Sequence, residues 1–398
     1  MATDGTNLIS LLEALLAPHR PGDELFPGVR WLSSSSEAGL RLALDVRGSV
    51  LHVELAPVDA VQRFAARSAH FAVSYRTGSG SAGRPLSDAE GMALCRALVP
   101  LLQRHEAEVL RTLRERAAAA RSETEGQARI RHIEGGPLLS PAQWRTQRYY
   151  TLSHYVGCLI GCRFCYAQGP VGLVRHLEGS PEVRWGSYVD ARRDAPARLA
   201  EEFATLPPGP VKFSPIVSDP YQAIERKLEL TRACLQVFAD HGAGFPPLLL
   251  TRSKLIARDV DLLAAIPDAY AGVSLTTVDD AVRQHFEPRA ATVPERLQTL
   301  ATLRAAGVHA FAIVQPQWPG PLDALADAIA ANATSANLGV LESIEDAGPL
   351  LDAPGMVQAR DRSWQAERKA ALRQALLDRG VEVWDGELPP ALCTSPGA

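Results

Sequence analysis

Residues 157–168 of this chain read Gly157-Cys158-Leu159-Ile160-Gly161-Cys162-Arg163-Phe164-Cys165-Tyr166-Ala167-Gln168. Three of the six cysteines lie here within eight residues, with the spacing Cys-x3-Cys-x2-Cys, and they follow an apolar run at residues 149–156 that predicts a strand. Three thiolates from one short loop are expected to be metal ligands, and they leave one coordination position open. A structural zinc site is closed by its protein ligands, whereas one iron of a cubane cluster can bind a substrate or cofactor. The stretch therefore predicts an iron-sulfur cluster.

At these residues the chain resembles the radical S-adenosylmethionine (SAM) superfamily. The resemblance implies that Cys158, Cys162 and Cys165 hold three irons of a [4Fe-4S] cluster, while SAM chelates the fourth through its amino and carboxylate groups. It also implies reductive cleavage of SAM to methionine and a 5′-deoxyadenosyl radical, which abstracts hydrogen from a substrate. By the same resemblance, Phe164 and Tyr166 are expected to lie beside the adenine.

Two other interpretations of the cysteines stay open from the sequence alone. A zinc ion could recruit His154 as its fourth ligand, and the three cysteines could be a chance group of buried free thiols. The cluster is favoured because the spacing, the preceding strand and the aromatic residue before the third cysteine all agree with it.

The composition is that of an ordinary globular protein, with 46% hydrophobic and 22% charged residues among 398. This length predicts one large domain and a smaller one. The formal charge of -4 offers no general attraction to phosphate, which disfavours a nonspecific nucleic-acid binder and leaves room for a local basic groove.

The sequence predicts a cytoplasmic protein with no membrane contact. No run approaches the roughly 20 apolar residues of a membrane span. Residues 7–18 are apolar but have no basic leader, so they predict an amphipathic helix and not an export signal. Outside the loop, Cys95, Cys234 and Cys393 are scattered and make no disulfide framework, as expected in reducing surroundings.

Residues 1–115 are predicted to form an α/β module of unknown role, with substrate recognition as one possibility. Alternating apolar residues predict a hairpin at 40–46 and 51–55, and a further strand is expected at 70–75, before a Gly/Ser-rich loop at 77–83. Ser87-Asp88-Ala89-Glu90 is a capping box that opens a helix, and Cys95 is expected in the core of that helix.

Residues 116–146 are predicted to be a helical and loop linker. The composition of residues 104–131 is helical with mixed charges, and Gly135-Gly136-Pro137 marks a boundary. Residues 147–398 then form the predicted catalytic domain.

Beyond the cysteine loop, predicted strands and helices alternate. Repeated β-α units imply a parallel sheet with right-handed crossovers. The predicted fold class is therefore α/β. The resemblance implies the partial (β/α)6 barrel of the radical SAM superfamily, which is a TIM-type barrel. Counting the strand before Cys158 gives about six strands. After the strand before Cys158, strands are predicted at 211–216, 247–251, 270–276 and 308–315, followed by a further β/α pair at 337–342 and 361–379 and a last short strand at 381–384. The other helices are predicted at 224–241, 260–265, 294–306 and 322–333.

Polar residues follow several of these strands, at the end of a barrel where active residues lie. A zwitterionic cofactor with a ribose requires hydroxyls, a cation and acceptors. Taken together over residues 149–320, these positions resemble the spore photoproduct lyase-like branch of radical SAM proteins. By that resemblance Ser218, Arg252 and Ser274 are expected to contact SAM, while Asp219, Glu225 and Arg289 serve the cofactor or the substrate.

The chain departs from that branch at one position. Spore photoproduct lyases use a cysteine near the second-strand Ser-Asp segment to return a hydrogen atom, whereas residues 215–217 here are Pro-Ile-Val. Cys234 is the cysteine that follows, inside a predicted helix where a core role is expected. Thymine-dimer reversal is therefore disfavoured, and the sequence does not identify a catalytic residue.

Three functions follow from the sequence. The first is a radical SAM enzyme that modifies a peptide or protein, with the N-terminal module as its recognition domain and a reductant such as flavodoxin or ferredoxin as a partner. The second is a nucleic-acid lesion enzyme, which would need a local basic channel and stacking aromatics such as Tyr221 or Trp318. The third is a non-enzymatic iron-sulfur or zinc-binding protein.

Overall fold

The computed structural model describes residues 8–76, 86–123, 130–180, 183–213, 217–342 and 344–393. None of the described helices is long and apolar enough to cross a membrane. In chain order, the first half contains α1 (Leu8–Leu15), β1 (Glu24–Phe26), β2 (Val29–Ser35), β3 (Leu40–Val46), β4 (Ser49–Pro57), β5 (Ala66–Arg67), β6 (Phe71–Arg76), α2 (Asp88–Leu102), α3 (Glu106–Glu123), β7 (Ile130–Ile133), β8 (Leu139–Trp144), β9 (Gln147–Leu152), β10 (Tyr155–Val156) and α4 (Gln168–Leu177).

The second half alternates strands and helices along most of its length. Short 3-10 helices lie at Lys254–Asp259, Gly348–Asp352, Val357–Arg360 and Pro390–Leu392, as one does earlier at Val58–Ala60. The remaining elements are β11 (Val189–Arg192), α5 (Ala195–Phe203), β12 (Val211–Phe213), α6 (Glu225–Leu228), α7 (Leu230–His241), β13 (Pro247–Thr251), α8 (Val260–Ala265), β14 (Tyr270–Ser274), α9 (Asp280–Phe286), α10 (Val293–Ala305), β15 (His309–Val314), α11 (Leu322–Asn332), β16 (Ser335–Leu338), α12 (Ile344–Ala347), α13 (Arg362–Asp378) and β17 (Glu382–Trp384).

The chain divides into two compact units that interleave along the sequence. The first, here the N-terminal unit, comprises Met1–Ile130, Gly135–Thr151 and Gly169–Arg184. The second, here the barrel unit, comprises Arg131–Glu134, Leu152–Gln168 and Trp185–Ala398.

The N-terminal unit is built around an antiparallel sheet with the strand order β1-β2-β3-β4-β6-β5. The predicted hairpin is confirmed: β3 pairs antiparallel with β4, and Leu42 lies opposite Val53 with both side chains fully buried. The capping box is also confirmed, since Ser87 accepts from the backbone N–H of Glu90 and the Glu90 carboxylate accepts from that of Ser87. Cys95 is buried in the core, as predicted. The predicted loop at 77–83 lies outside the described residues.

The helix predicted at 104–131 is shorter in the structure. Helix α3 ends at Glu123, and the β-branched residues of Ile130–Ile133 instead form β7, which joins β11 and β10 in a three-stranded sheet. The helical composition of the stretch did not reveal this change of structure.

In the barrel unit, six parallel strands lie side by side from β12 to β17 in sequence order. One face of this sheet packs against helices α10, α11 and α13 through small and branched apolar side chains, with Val273, Ala312 and Ala336 fully buried. The mixed α/β class and the partial (β/α)6 barrel are therefore confirmed. The C-terminal ends of these strands present the polar residues singled out in the sequence.

Three predicted elements of this unit differ in the structure. The strand predicted at 149–156 is broken at Ser153-His154, and its last two residues form β10, which pairs antiparallel with β11. The helix predicted at 224–241 is divided at Glu229, which adopts a left-handed conformation with φ +52°. The strand predicted at 337–342 ends at Leu338, and residues 214–216 of the predicted second strand lie outside the described residues.

Candidate functional site

The cysteine loop lies between β10 and α4, in an apolar cluster of the barrel unit. Cys158 and Cys162 are buried and Cys165 is half-buried, and all three are free thiols. The loop turns sharply because Gly157 and Gly161 adopt positive φ angles of 83° and 59°, which other residues rarely tolerate. Tight turns on both sides of Cys158 let the three thiols come from a short segment.

Residues that follow β12 hold the first half of the loop. Gly157 donates its backbone N–H to the carbonyl of Val217 at 3.0 Å, and the hydroxyl of Ser218 donates back to the Gly157 carbonyl at 2.7 Å. The Gln222 side chain accepts from the Leu159 N–H at 2.7 Å and donates to the Ser218 hydroxyl at 2.6 Å. Ser218, predicted to contact SAM, is thus engaged with the loop itself.

The segment from α9 to Arg289 holds the second half of the loop. The backbone N–H of Arg163 donates to the Phe286 carbonyl at 3.0 Å, and Arg289 donates to the Gly186 carbonyl at 2.5 Å. The guanidinium of Arg289 passes between two glycines: a Cβ built on Gly161 would lie 2.1 Å from its Nη2, and one built on Gly186 only 1.9 Å. Arg289, predicted to serve cofactor or substrate, therefore fastens the loop to Gly186.

Burial governs the ionisation of the three thiols. It raises the pKa of Cys158, Cys162 and Cys165 to about 12 each, so in the free protein they are neutral near pH 7. A metal replaces the proton on such a thiol, and soft thiolate ligands suit iron-sulfur clusters and zinc. The donor set therefore fits the cluster that the spacing predicts.

The arrangement does not favour a mononuclear site. Within the described ranges, no three His, Cys, Asp or Glu side chains converge closely enough to hold a single metal ion. His154, the proposed fourth zinc ligand, hydrogen-bonds through Nε2 to the Thr231 hydroxyl at 2.8 Å. In a cubane each thiolate binds its own iron, so the sulfurs need not meet at one point.

Aromatic residues pack around the loop. Phe164 lies edge-on to Trp318 with ring centroids 5.2 Å apart, and Trp318 stacks on Phe286 at 3.9 Å. All three rings are buried, while Tyr166 is half-buried. This cluster excludes water from one side of the cysteines, and the placement of Phe164 and Tyr166 beside an adenine stays a prediction.

Asp219 connects two strand ends. Its carboxylate accepts from the Tyr221 N–H at 2.9 Å, the Thr251 hydroxyl at 2.6 Å and the Arg252 N–H at 2.8 Å. Burial raises the pKa of Asp219, and these hydrogen bonds oppose the shift. With its oxygens already bonded to the protein, Asp219 fixes the end of β13 beside the segment that follows β12.

Arg252 belongs to a buried ionic group with Glu287 and Arg296, here called the Arg-Glu-Arg group. Arg252 donates through Nε to Glu287 Oε1 at 3.0 Å, and Arg296 pairs with Glu287 Oε2. Arg296 also donates to the Ser274 carbonyl at 2.7 Å, which ties the group to the end of β14. Burial alone would raise the pKa of Glu287, and the two arginines reverse this and leave it lowered.

Two hydroxyls at the end of β14 are buried without a partner. Among the described residues, Ser274 Oγ and Thr276 Oγ1 have no hydrogen-bond partner. A buried hydroxyl without a hydrogen bond is costly, so this edge of the sheet suits a polar ligand. Ser274 was a predicted SAM contact, and Thr276 has the same character.

Sequence reasoning missed Arg296 and assigned Glu287 no role. Glu287 was visible only as part of the Glu-Pro-Arg segment, whose arginine was the chosen candidate. Arg296 lies within α10, and nothing local marks it as part of the site, because the Glu287 carboxylate and the Ser274 carbonyl lie on other elements and its remaining partner is the Ala291 carbonyl.

Comparison with known proteins is consistent with this geometry. Residues 152–319 match the Radical SAM superfamily model. An uncharacterized protein of Methanocaldococcus jannaschii is 27% identical over 174 residues, which is 44% of this chain and 62% of that protein. The Radical SAM Nalpha-GlyT isomerase of Pseudomonas phage M6 is 26% identical over 169 residues, which is 41% of this chain and 32% of that protein. This chain therefore aligns with less than two thirds of either relative.

Among solved structures, a spore photoproduct lyase variant with bound AdoMet and dinucleoside spore photoproduct is 15% identical in sequence. The alignment covers 59% of this chain and 75% of the lyase chain, with a TM-score of 0.43. The chain therefore contains, at residues 152–319, a domain that matches the radical SAM superfamily. Members of this superfamily use a [4Fe-4S] cluster and SAM.

Proposed function

We propose that this chain is an enzyme that cleaves SAM reductively and abstracts hydrogen from a substrate. The observation that carries the proposal is the buried loop with its three free thiols, held from both sides within the matched domain. Cys158, Cys162 and Cys165 would hold the cluster. When bound, the cluster and SAM together supply the 5′-deoxyadenosyl radical. We also propose that an external one-electron donor such as flavodoxin or ferredoxin reduces the cluster, and that the protein works in a reducing cytoplasm.

The remaining residues bind, orient and exclude water. Arg252 would bind the SAM carboxylate, because its Nη1 and Nη2 donate no hydrogen bond to any described residue. The unpartnered hydroxyls of Ser274 and Thr276 are suited to the ribose. The aromatic cluster around Phe164 would keep water from the radical.

The experiment that tests this function is anaerobic reconstitution of the full chain with iron and sulfide, followed by reduction with SAM and chromatography for 5′-deoxyadenosine. Its formation is expected, with about four irons per chain. An intact cluster without any 5′-deoxyadenosine, with and without the candidate substrates below, would contradict the proposal.

Arg252→Ala tests the predicted SAM contact. We expect SAM affinity to fall about tenfold, as for the loss of one charge-assisted hydrogen bond, while iron content changes little. Calorimetric titration with SAM and iron analysis measure the two quantities. Unchanged affinity at equal iron content would remove Arg252 from the SAM site.

For the substrate, we propose a peptide or protein, recognised by the N-terminal unit. This unit contains a cavity of about 450 Å³ between its sheet and α2. The walls are mainly apolar and include one cation and one anion, Arg47 and Glu90, among Phe26, Val46, Leu51 and Leu94. Such walls suit an apolar peptide side chain better than a row of phosphates.

A pool of short random-sequence peptides and a pool of DNA oligonucleotides provide the comparison. We expect the peptides to stimulate 5′-deoxyadenosine formation, and Ala93→Trp, which fills the cavity, to remove the stimulation while basal cleavage stays. Ala97 also lines this cavity. Arg96→Gln changes an exposed residue of the same helix that is not part of the lining, and it is the matched control. Salt-dependent DNA binding with stimulation by DNA alone would instead favour a nucleic-acid substrate.

A further inference from the structure

The Arg-Glu-Arg group carries more positive than negative charge. Arg252 and Arg296 are two cations, and Glu287, whose side chain is 0% exposed, is the one carboxylate that pairs with both. The side chain of Arg296 is 1% exposed and that of Arg252 is 21% exposed. These three side chains alone leave one positive charge over, and the buried carboxylate of Asp219, which accepts from the Arg252 backbone N–H, lies beside it. With little water in the site, these charges act strongly.

The surplus charge lies on the side of the cysteine loop. The guanidinium carbon of Arg252 is 5.6 Å from the ring centroid of Phe164, which stands between Cys162 and Cys165 in the sequence. Arg252 therefore lies beside the segment of the loop that joins the two thiols. Glu287 fixes Nε of Arg252, and the guanidinium is thereby oriented with its two terminal nitrogens unpaired among the described residues.

The environment of the three cysteines is uneven. Asp219 places a carboxylate near Cys158, and Asp346 places another near Cys165, which also faces Arg252. Cys162 faces both arginines of the group and the carboxylate between them. Arg252 is thus the cation shared by the second and third cysteines.

We infer that Glu287 and Arg296 hold Arg252 as a fixed positive charge beside Cys162 and Cys165, and that this charge raises the reduction potential of the cluster that these cysteines would bind. The inference rests on the proposed function. Reduction adds one electron to the cluster from a donor of the flavodoxin or ferredoxin class, with no bond made or broken in the chain. A nearby cation stabilises the added negative charge, and charge and hydrogen bonding around a cluster set its potential.

The test is a redox titration of the reconstituted full chain, without SAM, followed by electron paramagnetic resonance. Arg252→Gln removes the charge and keeps a polar side chain. We expect the equilibrium constant for one-electron reduction to fall about tenfold, which is a shift of about 59 mV to lower potential. Arg252→Lys, which keeps the charge, should restore at least half of that shift.

Lys254→Gln is the matched control. Lys254 lies two residues from Arg252 and carries the same charge, but it is exposed and pairs with Glu295. Its replacement removes one positive charge from the same segment and should leave the potential unchanged. An equal shift in Lys254→Gln and Arg252→Gln, or no shift in Arg252→Gln, would overturn the inference.

Each of the other possible outcomes also supports or overturns the inference. If Arg252→Gln binds no cluster, Arg252→Met is measured in its place; loss of the cluster in both, with retention in Arg252→Lys, supports the need for a cation there. Loss in all three folded variants would show that the arginine shape and not its charge matters, and would overturn the inference. A wild-type chain that binds no cluster would instead refute the proposed function. Weaker SAM binding at an unchanged potential would leave the function standing and assign Arg252 to SAM alone.

Discussion

Glu225 and Glu287 are two buried carboxylates of the barrel unit, and their partners differ. Glu225 accepts from the Tyr155 hydroxyl at 2.6 Å, the Thr231 N–H at 3.0 Å and Arg258 at 2.8 Å. Among the described residues, the carboxylate of Glu287 accepts only from the side chains of Arg252 and Arg296. The first carboxylate joins β10, α6 and α7 to one another, and its arginine is shared with Asp259. The second leaves a surplus cation toward the cysteine loop.

Burial and pairing therefore do not identify a functional ionic group by themselves. Both carboxylates have side chains that are 0% exposed, and both would be costly to leave unpaired. The partners of the cations differ. The Arg258 guanidinium beside Glu225 also pairs with Asp259, whereas the terminal nitrogens of Arg252 donate to no described residue and its guanidinium lies over Phe164 of the cysteine loop, with Asp219 at its backbone N–H. This contrast predicts that substitutions near Glu225 lower the stability of the fold, whereas substitutions near Glu287 change the reduction potential of the cluster and the binding of SAM.

The largest expected effect comes from the cysteines themselves. Cys158→Ala, Cys162→Ala or Cys165→Ala should each abolish 5′-deoxyadenosine formation, because each thiolate holds one iron. Cys234→Ala is the matched control, since Cys234 is a fully buried free thiol of α7 near Glu225. It should lose about 1 kcal/mol of stability and keep full SAM cleavage. Cleavage retained in any loop variant would refute the cluster assignment.

Glu225→Gln tests the structural half of the contrast. The variant loses the carboxylate that accepts from Tyr155 and Thr231, while Arg258 keeps its pair with Asp259, so the free energy of unfolding in urea should fall by about 1–3 kcal/mol. If the variant folds, the reduction potential of its cluster and its affinity for SAM should equal those of the wild type. A shift of potential as large as that of Arg252→Gln would show that the two groups are not separate in function.

The local parts of this structure could be predicted from the sequence. The cysteine spacing, the alternation of Leu42 and Val53 in the hairpin and the Ser87 capping box are patterns of near neighbours, and the structure contains each of the elements they indicate. The parallel strands from 211 to 384 were recognisable because apolar runs and helical runs alternate.

The rest depends on contacts between residues distant in sequence. The predicted strand at 149–156 is broken where His154 turns inward to bond Thr231, which is 77 residues away. Arg296 meets the Ser274 carbonyl across 22 residues, and no local pattern marks it as part of the site. Arg289 was chosen as a ligand-binding cation, and its passage between Gly161 and Gly186 could be seen only in three dimensions.

Gly161→Ala sharpens the contrast at the loop itself. The added Cβ would lie 2.1 Å from Arg289 Nη2 and 2.6 Å from the Gly186 Cα, and the residue has φ +59°, which costs roughly 1–2 kcal/mol. We expect a chelator to remove iron about tenfold faster from this variant than from the wild type. Gly172→Ala in α4 is the control, because a Cβ there meets nothing within 4 Å. Equal iron release in both variants would show that Arg289 does not hold the loop.

The smallest expected effect is a pH dependence on the Glu225 side. His154 packs against Tyr155 and bonds Thr231, whose N–H in turn donates to Glu225. Burial, with help from Arg192, lowers the pKa of His154 to about 3, so this ring stays neutral in the folded chain while the unfolded chain takes up a proton below about pH 6.5. The stability due to this residue is complete above pH 6.5 and is lost as the pH falls toward 3.

His154→Gln removes this titration and keeps an amide that can bond Thr231. Between pH 7.5 and 5.5, the free energy of unfolding of the wild type should fall by about 1.4 kcal/mol more than that of the variant, measured by urea unfolding of the metal-free chain. The other histidines are common to both proteins and cancel in the difference. Equal falls would mean that His154 is protonated in the folded chain, and the network around Glu225 would then contain a second cation, as the group around Glu287 does.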